Sequence, residues 1–150
     1  MTKEQKNLLI TDLCGRLPHW INIITKDGDT GHIVGVDDVD KGIFNIYIPE
    51  DGDNSYFCSL SIDNFKPYLR SMPSMTEKER DELEDVSGDW LYVDEDGYLY
   101  PIGNTVFDSD EIKKIITGFD WLNKHCFDYR ELIEMEMALD APDSMYCERT

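Results

Sequence analysis

The spacing of hydrophobic positions changes character along the chain. Near the start, Leu9 and Leu13, and Ile10 and Cys14, stand four residues apart, the spacing of one helix face. Thr2 and Gln5 have capping-box spacing, so the pattern predicts a helix over about 3–14, closed by Gly15 and stopped before Pro18. From 19 to about 63 the runs WINIIT, HIVGV, IFNIYI and YFCSLSI are rich in β-branched and aromatic residues. The stretches between them, KDGDT, DDVDKG and PEDGDN, have turn chemistry. Four such strands predict an antiparallel meander, or a small barrel of SH3-like or OB-like type. In IFNIYI, alternation puts Phe44, Ile46 and Ile48 on the core side and Ile43, Asn45 and Tyr47 on the other.

The second half mixes periods. FKPYLRSMPSM, with two prolines, reads as a connector that packs Phe65, Tyr68 and Leu69 onto the sheet. Thr76 and Glu79 form another capping-box pair, opening a helix that is polar nearly all round, with Leu83 and Val86 as its apolar anchors. WLYVDEDGYLYPI reads as a hairpin, with Leu91 and Val93 sharing one face and Trp90 and Tyr92 the other. A pair of helices is expected next. The first is EIKKIITGFDWLNKH, interrupted near Gly118; the second is YRELIEMEMAL, with Asp128 as N-cap, Glu131 three residues later and Pro142 as its limit. Trp121 and Tyr129 would tie the two together. The expected fold class is α+β: an N-terminal helix, a small antiparallel β-meander or barrel, a further hairpin and a C-terminal helical lobe. One domain is expected over 1–150, β-rich over about 1–75, with the hairpin and helical lobe over about 76–150.

Charge narrows the classes of partner. With 14 basic and 32 acidic residues the net charge is −18, which repels phosphate backbones and anionic lipid. Direct nucleic-acid or membrane-surface binding is therefore not expected. The acidic residues concentrate between Thr76 and Glu111, and this segment includes Glu77, Asp81, Glu82, Asp85, Asp94 and Asp96. Such a surface is either a solvated face or a docking face for a basic protein, including one that normally holds nucleic acid. The start of the chain lacks the apolar core of a signal peptide and no apolar run approaches membrane-spanning length, so a cytoplasmic protein with reduced cysteines is expected.

Reactive chemistry finds little support. The cysteines at 14, 58, 126 and 147 have no C-x-x-C spacing. Asp38 to Gly42 and Asp94 to Gly97 resemble pieces of a calcium loop, but neither run has Gly sixth or Glu twelfth; hairpin turns explain them better. Phosphate-binding glycine loops, H-E-x-x-H and G-x-S-x-G are absent, and no cofactor is expected. His125 adjoins Cys126, but neighbouring side chains diverge by about 100° on a helix, so a thiol–imidazole pair is poorly served. A cation at a helix C-terminus is favoured by the dipole, which gives His125 a capping role. Arg130 is expected to pair with Asp128 or Glu134, or to contact a partner.

Three segments carry a family resemblance. DWLNKHCFDYRELIEMEMALDAPDSMY resembles a C-terminal signature running close to WLN-x-HHFDYRGLI…ALEAPEGMY, found in small proteins of phages, prophages and mobile elements of gut Bacteroidales. FKPYLRSMPSMTEKER and LLITDLCGRLP resemble the middle and start of the same proteins, while about 19–60 match least. The resemblance implies an accessory protein of a mobile element, acting inside a bacterium, with no established activity. This chain has Cys126 where that signature has His, Glu131 where it has Gly and Asp140 where it has Glu. The first departure puts a two-His metal site in doubt.

The function expected on these grounds is non-enzymatic binding of a protein partner, one concrete version being inhibition of a nucleic-acid-binding or defence factor of the host. The partner-binding candidates are Glu77, Asp81, Glu82, Asp85, Asp94, Asp96, His125 and Arg130. Two alternatives stand beside it. One is a binder of a small molecule such as a signalling nucleotide, using Trp20, Trp90, Tyr92 and Tyr98 with Arg70, Arg130 or lysines supplying local positive charge. The other is an enzyme with a site near His125 and Cys126.

Overall fold

A computed structural model describes residues 1–50, 54–101 and 108–146. The fold is α+β, with an N-terminal helix, a six-stranded mixed sheet, a separate hairpin and a C-terminal helix. The chain packs as two units, Met1–Leu69 with Arg130–Asp140, and Arg70–Tyr129 with the chain from Ala141 onward.

In the first unit, helix α1 (Lys3–Gly15) starts on the expected capping box: Gln5 N–H donates to Thr2 Oγ1 at 3.1 Å and Thr2 N–H donates to Gln5 Oε1 at 2.9 Å. Strands β1 (Asn22–Thr25), β2 (Thr30–Asp38), β3 (Ile43–Ile48) and β4 (Tyr56–Ser61) form the predicted antiparallel meander. Phe44, Ile46 and Ile48 are buried, as alternation requires, together with Leu9, Leu13, Ile21, Ile23 and Ile33. Each such side chain contributes about 1.5–3 kcal/mol through burial, and Phe44→Ala would cost about 3–5 kcal/mol.

The segment expected to be a connector is in part a strand. β5 (Phe65–Leu69) pairs antiparallel with β1 despite Pro67, which stands opposite Ile23. A short parallel strand, β8 (Leu139–Asp140), lies on the far side of β5 but reaches only Tyr68 and Leu69. Pro67 thus sits where that side of β5 has no pairing, a position that tolerates a missing N–H. The six strands run in the order β4-β3-β2-β1-β5-β8.

The second of the two expected helices does not form. From Tyr129 to Ala138 the chain is a series of turns, with Glu131 at φ 62° and Glu136 at φ 61°. Two left-handed residues five apart prevent a continuous helical ladder. Part of the apolar set is buried all the same: Leu132 is fully buried and Met137 nearly so, while Ile133 and Met135 are half-buried. Met137 N–H and Ala138 N–H both donate to Leu132 C=O, at 2.9 and 3.2 Å. The turns therefore replace the helix in satisfying the backbone.

The second unit holds α2 (Glu77–Val86), the hairpin β6 (Leu91–Val93) and β7 (Leu99–Pro101), and α3 (Ser109–Lys124). Its core is Met72, Met75, Leu83, Leu91, Val93, Trp121, Leu122 and Phe127. α3 is opened by a capping box of Asp108 and Glu111 and runs unbroken through Gly118, contrary to the expected interruption. A Cβ at Gly118 would stand 2.5 Å from Leu91 Cδ1 and 3.0 Å from Ser87 Cβ. The glycine is there for close approach and does not end the helix. No helix among the described residues is long and apolar enough to cross a membrane.

Candidate functional site

Helix α2 is oriented by one end and one side chain. Thr76 and Glu79 close the capping box, with Glu79 N–H donating to Thr76 Oγ1 at 3.2 Å and Thr76 N–H donating to Glu79 Oε1 at 3.1 Å. Glu79 also accepts a bidentate pair from Arg70, at 2.7 and 2.8 Å. Burial pushes the Glu79 carboxyl up, but the Arg70 and Thr76 hydrogen bonds outweigh it and hold the group below the usual glutamate range. Leu83, fully buried, fixes the inward face.

The outward face is acidic. Glu77, Asp81 and Asp85 stand at i, i+4 and i+8, and Glu82 lies beside them; all four are exposed. Among the described residues none of the four carboxylates forms an ion pair. Asp94 and Asp96 belong to the β6–β7 turn of the same unit. There Asp94 is structural: its Oδ1 accepts from the N–H groups of Asp96 and Tyr98, at 3.0 and 2.9 Å. Asp96 is exposed.

His125 is the C-cap residue of α3, and its backbone N–H bonds back to Trp121 C=O at 3.0 Å. Its imidazole is 6% exposed and packs on Trp121 with ring centroids 4.2 Å apart. Burial lowers its pKa; Glu82 and Glu79 push the other way, and Lys124 and Arg70 add to the lowering. The cap is thus made by the backbone and not by a cation. A column of flat groups continues from it: Trp121 stacks on Phe127 at 5.8 Å, and the Arg70 guanidinium lies 4.1 Å over the Phe127 ring. Cys126 is buried at φ 62°, with Sγ 3.9 Å from Lys124 C=O.

Arg130 belongs to the first unit. Its Nε lies 3.2 Å from Oδ1 of Asp12, an α1 carboxylate that the expected pairings did not include. Sequence reading missed Asp12 because nothing local distinguishes it from a solvated helix aspartate. The candidates are therefore divided: the α2 and hairpin acids and His125 share the second unit, and Arg130 does not.

Two cavities bear on the alternatives. In the second unit about 600 Å³ is lined by Arg70, Ser74, Thr76, Glu79, the Ala141–Asp143 run and Tyr146. Its one Arg and one Glu satisfy each other. In the first unit about 410 Å³ opens over Leu9, Ile24, Ile62, Phe65 and Met137, with Lys26, Lys66, Asp63 and Glu136 also in its wall. Trp20, Trp90, Tyr92 and Tyr98 line neither. Among the described residues no group of three His, Cys, Asp or Glu is placed to hold a metal ion. Cys147 lies outside the described residues.

Comparison with protein-family models, curated proteins and solved structures gives no match.

Proposed function

We propose that this protein works by binding another protein through the acidic face of α2, with no bond-making chemistry of its own. The observation that carries this reading is the set of four exposed carboxylates, Glu77, Asp81, Glu82 and Asp85, with no ion pair among the described residues, on a helix whose other side is anchored by Leu83 and the Arg70–Glu79 pair. A face on which four carboxylates outweigh the single exposed helix cation, Lys78, favours a basic partner and steers its approach. A partner surface that normally holds nucleic acid offers such positive charge, which makes a nucleic-acid-binding host or defence factor the fitting class. The resemblance to proteins of bacterial mobile elements supports an accessory role of this kind inside the bacterial cell.

The test is capture of partners from host cells by the wild-type protein and by the Glu82→Lys/Asp85→Lys variant, at low and high salt. The expected result is one basic partner, lost in the variant and released by salt. A partner retained equally under all these conditions overturns the assignment to α2.

A further inference from the structure

The six-stranded sheet treats its two edges differently. Beyond β5 lies β8, while β4 ends the sheet on the other side and has no further strand among the described residues. Edge strands expose unpaired N–H and C=O groups, and folded proteins blunt them with charge, proline or bulges. β4 has none of these. Its sequence, YFCSLS, carries no charge and no proline, and its register with β3 is unbroken over six pairs from Ile43↔Ser61 to Ile48↔Tyr56. The irregularities of this sheet fall inside it, between β2 and β3.

Aromatic side chains cross the sheet toward that same edge. Trp20 stacks on His32 with centroids 4.1 Å apart, His32 meets Tyr47 at 5.2 Å, and Tyr47 meets Phe57 at 5.0 Å. The row follows the register, since His32 stands opposite Tyr47 and Tyr47 opposite Phe57. It ends on β4 at Phe57, which is 71% exposed. A strand added to β4 would bring a side chain to about 4.5–5.5 Å from Phe57 and extend the row by one member.

Charge selects the added strand. Register puts three carboxylates at the Tyr56 end of the sheet: Glu50 follows Ile48, which stands opposite Tyr56, and Asp27 and Asp29 lie in the β1–β2 turn just before Thr30, two residues ahead of His32, which stands opposite Tyr47. Burial and these charges raise the Tyr56 pKa. Among the described residues none of the three forms an ion pair. A second copy of this chain would bring 18 more negative charges to the same edge. A basic segment meets the opposite field.

We propose that β4 is a docking edge for an extended basic peptide of a partner protein, which adds to the sheet as a seventh strand. One of its side chains, aromatic or Arg, stacks on Phe57, and Lys or Arg residues lie beside Asp27, Asp29 and Glu50. Main-chain hydrogen bonds supply affinity and the alternate side chains supply selectivity. This site is in the first unit and does not depend on the acidic face of α2.

The test uses the full chain against a displayed library of randomised ten-residue peptides, followed by synthesis of the enriched sequence. The expected peptides are basic, with an aromatic or Arg at alternating positions. Their binding should fall at least tenfold in Phe57→Lys and about threefold in Asp29→Asn, and be unchanged in Glu82→Lys/Asp85→Lys. Bound peptide should slow amide hydrogen exchange within Tyr56–Ser61. Because Phe57 is exposed, its circular dichroism and melting controls should match wild type. Overturning results are enrichment of no peptide, enrichment of neutral or acidic ones, equal binding to Phe57→Lys, or protection elsewhere. A concentration-dependent dimer that disappears in Phe57→Lys would assign the edge to a second copy and overturn the basic-peptide proposal.

Discussion

Asp12 and Arg16 form an ion pair one helical turn apart in which both side chains are fully buried. Asp12 Oδ2 accepts from Arg16 Nε at 2.7 Å and Oδ1 accepts from the guanidinium at 3.1 Å. Arg130 approaches the same carboxylate from the turn segment. One carboxylate therefore joins α1 to the stretch where a helix was expected. Removing one member of a buried pair leaves a stranded charge, which costs about 3–5 kcal/mol. Asp12→Leu is expected to lose that much in urea unfolding. Asp12→Leu/Arg16→Met should recover most of it, because replacing the whole pair by apolar groups removes the stranded charge. A double variant no better than the single would show that packing and not charge dominates.

The Arg70–Glu79 pair predicts a dependence on acid. The Glu79 carboxyl titrates below the ordinary glutamate range in the folded state. The folded form therefore binds this proton less readily than the unfolded form. Its contribution is present above the unfolded value and fades as pH falls through the folded one. Glu79→Gln is expected to lower stability by about 1.5–3 kcal/mol at pH 7. The gap to wild type should close as pH falls below the usual carboxylate range, as read by denaturant midpoints.

His125 has the opposite chemistry and the same direction of dependence. Burial against Trp121 disfavours the imidazolium, so the unfolded chain takes up this proton first. Stability should fall as pH drops below the ordinary histidine value of about 6.5, until the folded group also protonates. Melting temperatures from pH 8 to 5 are expected to show a smaller decline in His125→Gln than in wild type. Equal declines would mean that Glu82 and Glu79 compensate burial.

Gly118 gives a test with the sign opposite to helix propensity. Gly to Ala inside a helix gains up to about 1 kcal/mol when space is free. Here the added Cβ would press on Leu91 and Ser87, so Gly118→Ala is expected to destabilise by about 1–3 kcal/mol. Gly15→Ala, with no atom within 4 Å of its Cβ, serves as the control and should cost nothing through packing.

What the sequence made legible follows from how local the signals are. The capping boxes at Thr2 and Thr76, the alternation in IFNIYI and the β6–β7 turn are decided within a few residues, and all appear where the pattern put them. Pairings between distant residues were not visible: Asp12 with Arg130, and Tyr47 with both His32 and Phe57. Alternation put Tyr47 on the outward face, but only strand register sets it beside those rings. The acidity of α2 was plain in the sequence, whereas its orientation depends on Arg70, which the sequence offered only as one positive charge among others. The helix expected over Tyr129–Leu139 failed because apolar spacing fits turns as well as a helix when backbone φ is free to turn positive.

Glu131 tests that last point directly. It stands at φ 62° and is exposed. A side chain in the left-handed region costs about 1–2 kcal/mol, and glycine removes that cost while adding about 0.4–1 kcal/mol of unfolded-state entropy. Glu131→Gly is therefore expected to stabilise by about 0.5–1 kcal/mol. Glu136→Gly, at φ 61°, should do the same. Glu134→Gly, whose backbone is not in that region, should destabilise slightly. If the segment were helical instead, glycine would cost about 1 kcal/mol at all three positions. Chemical denaturation of the three variants reads the sign at each residue, and three losses would contradict the turns.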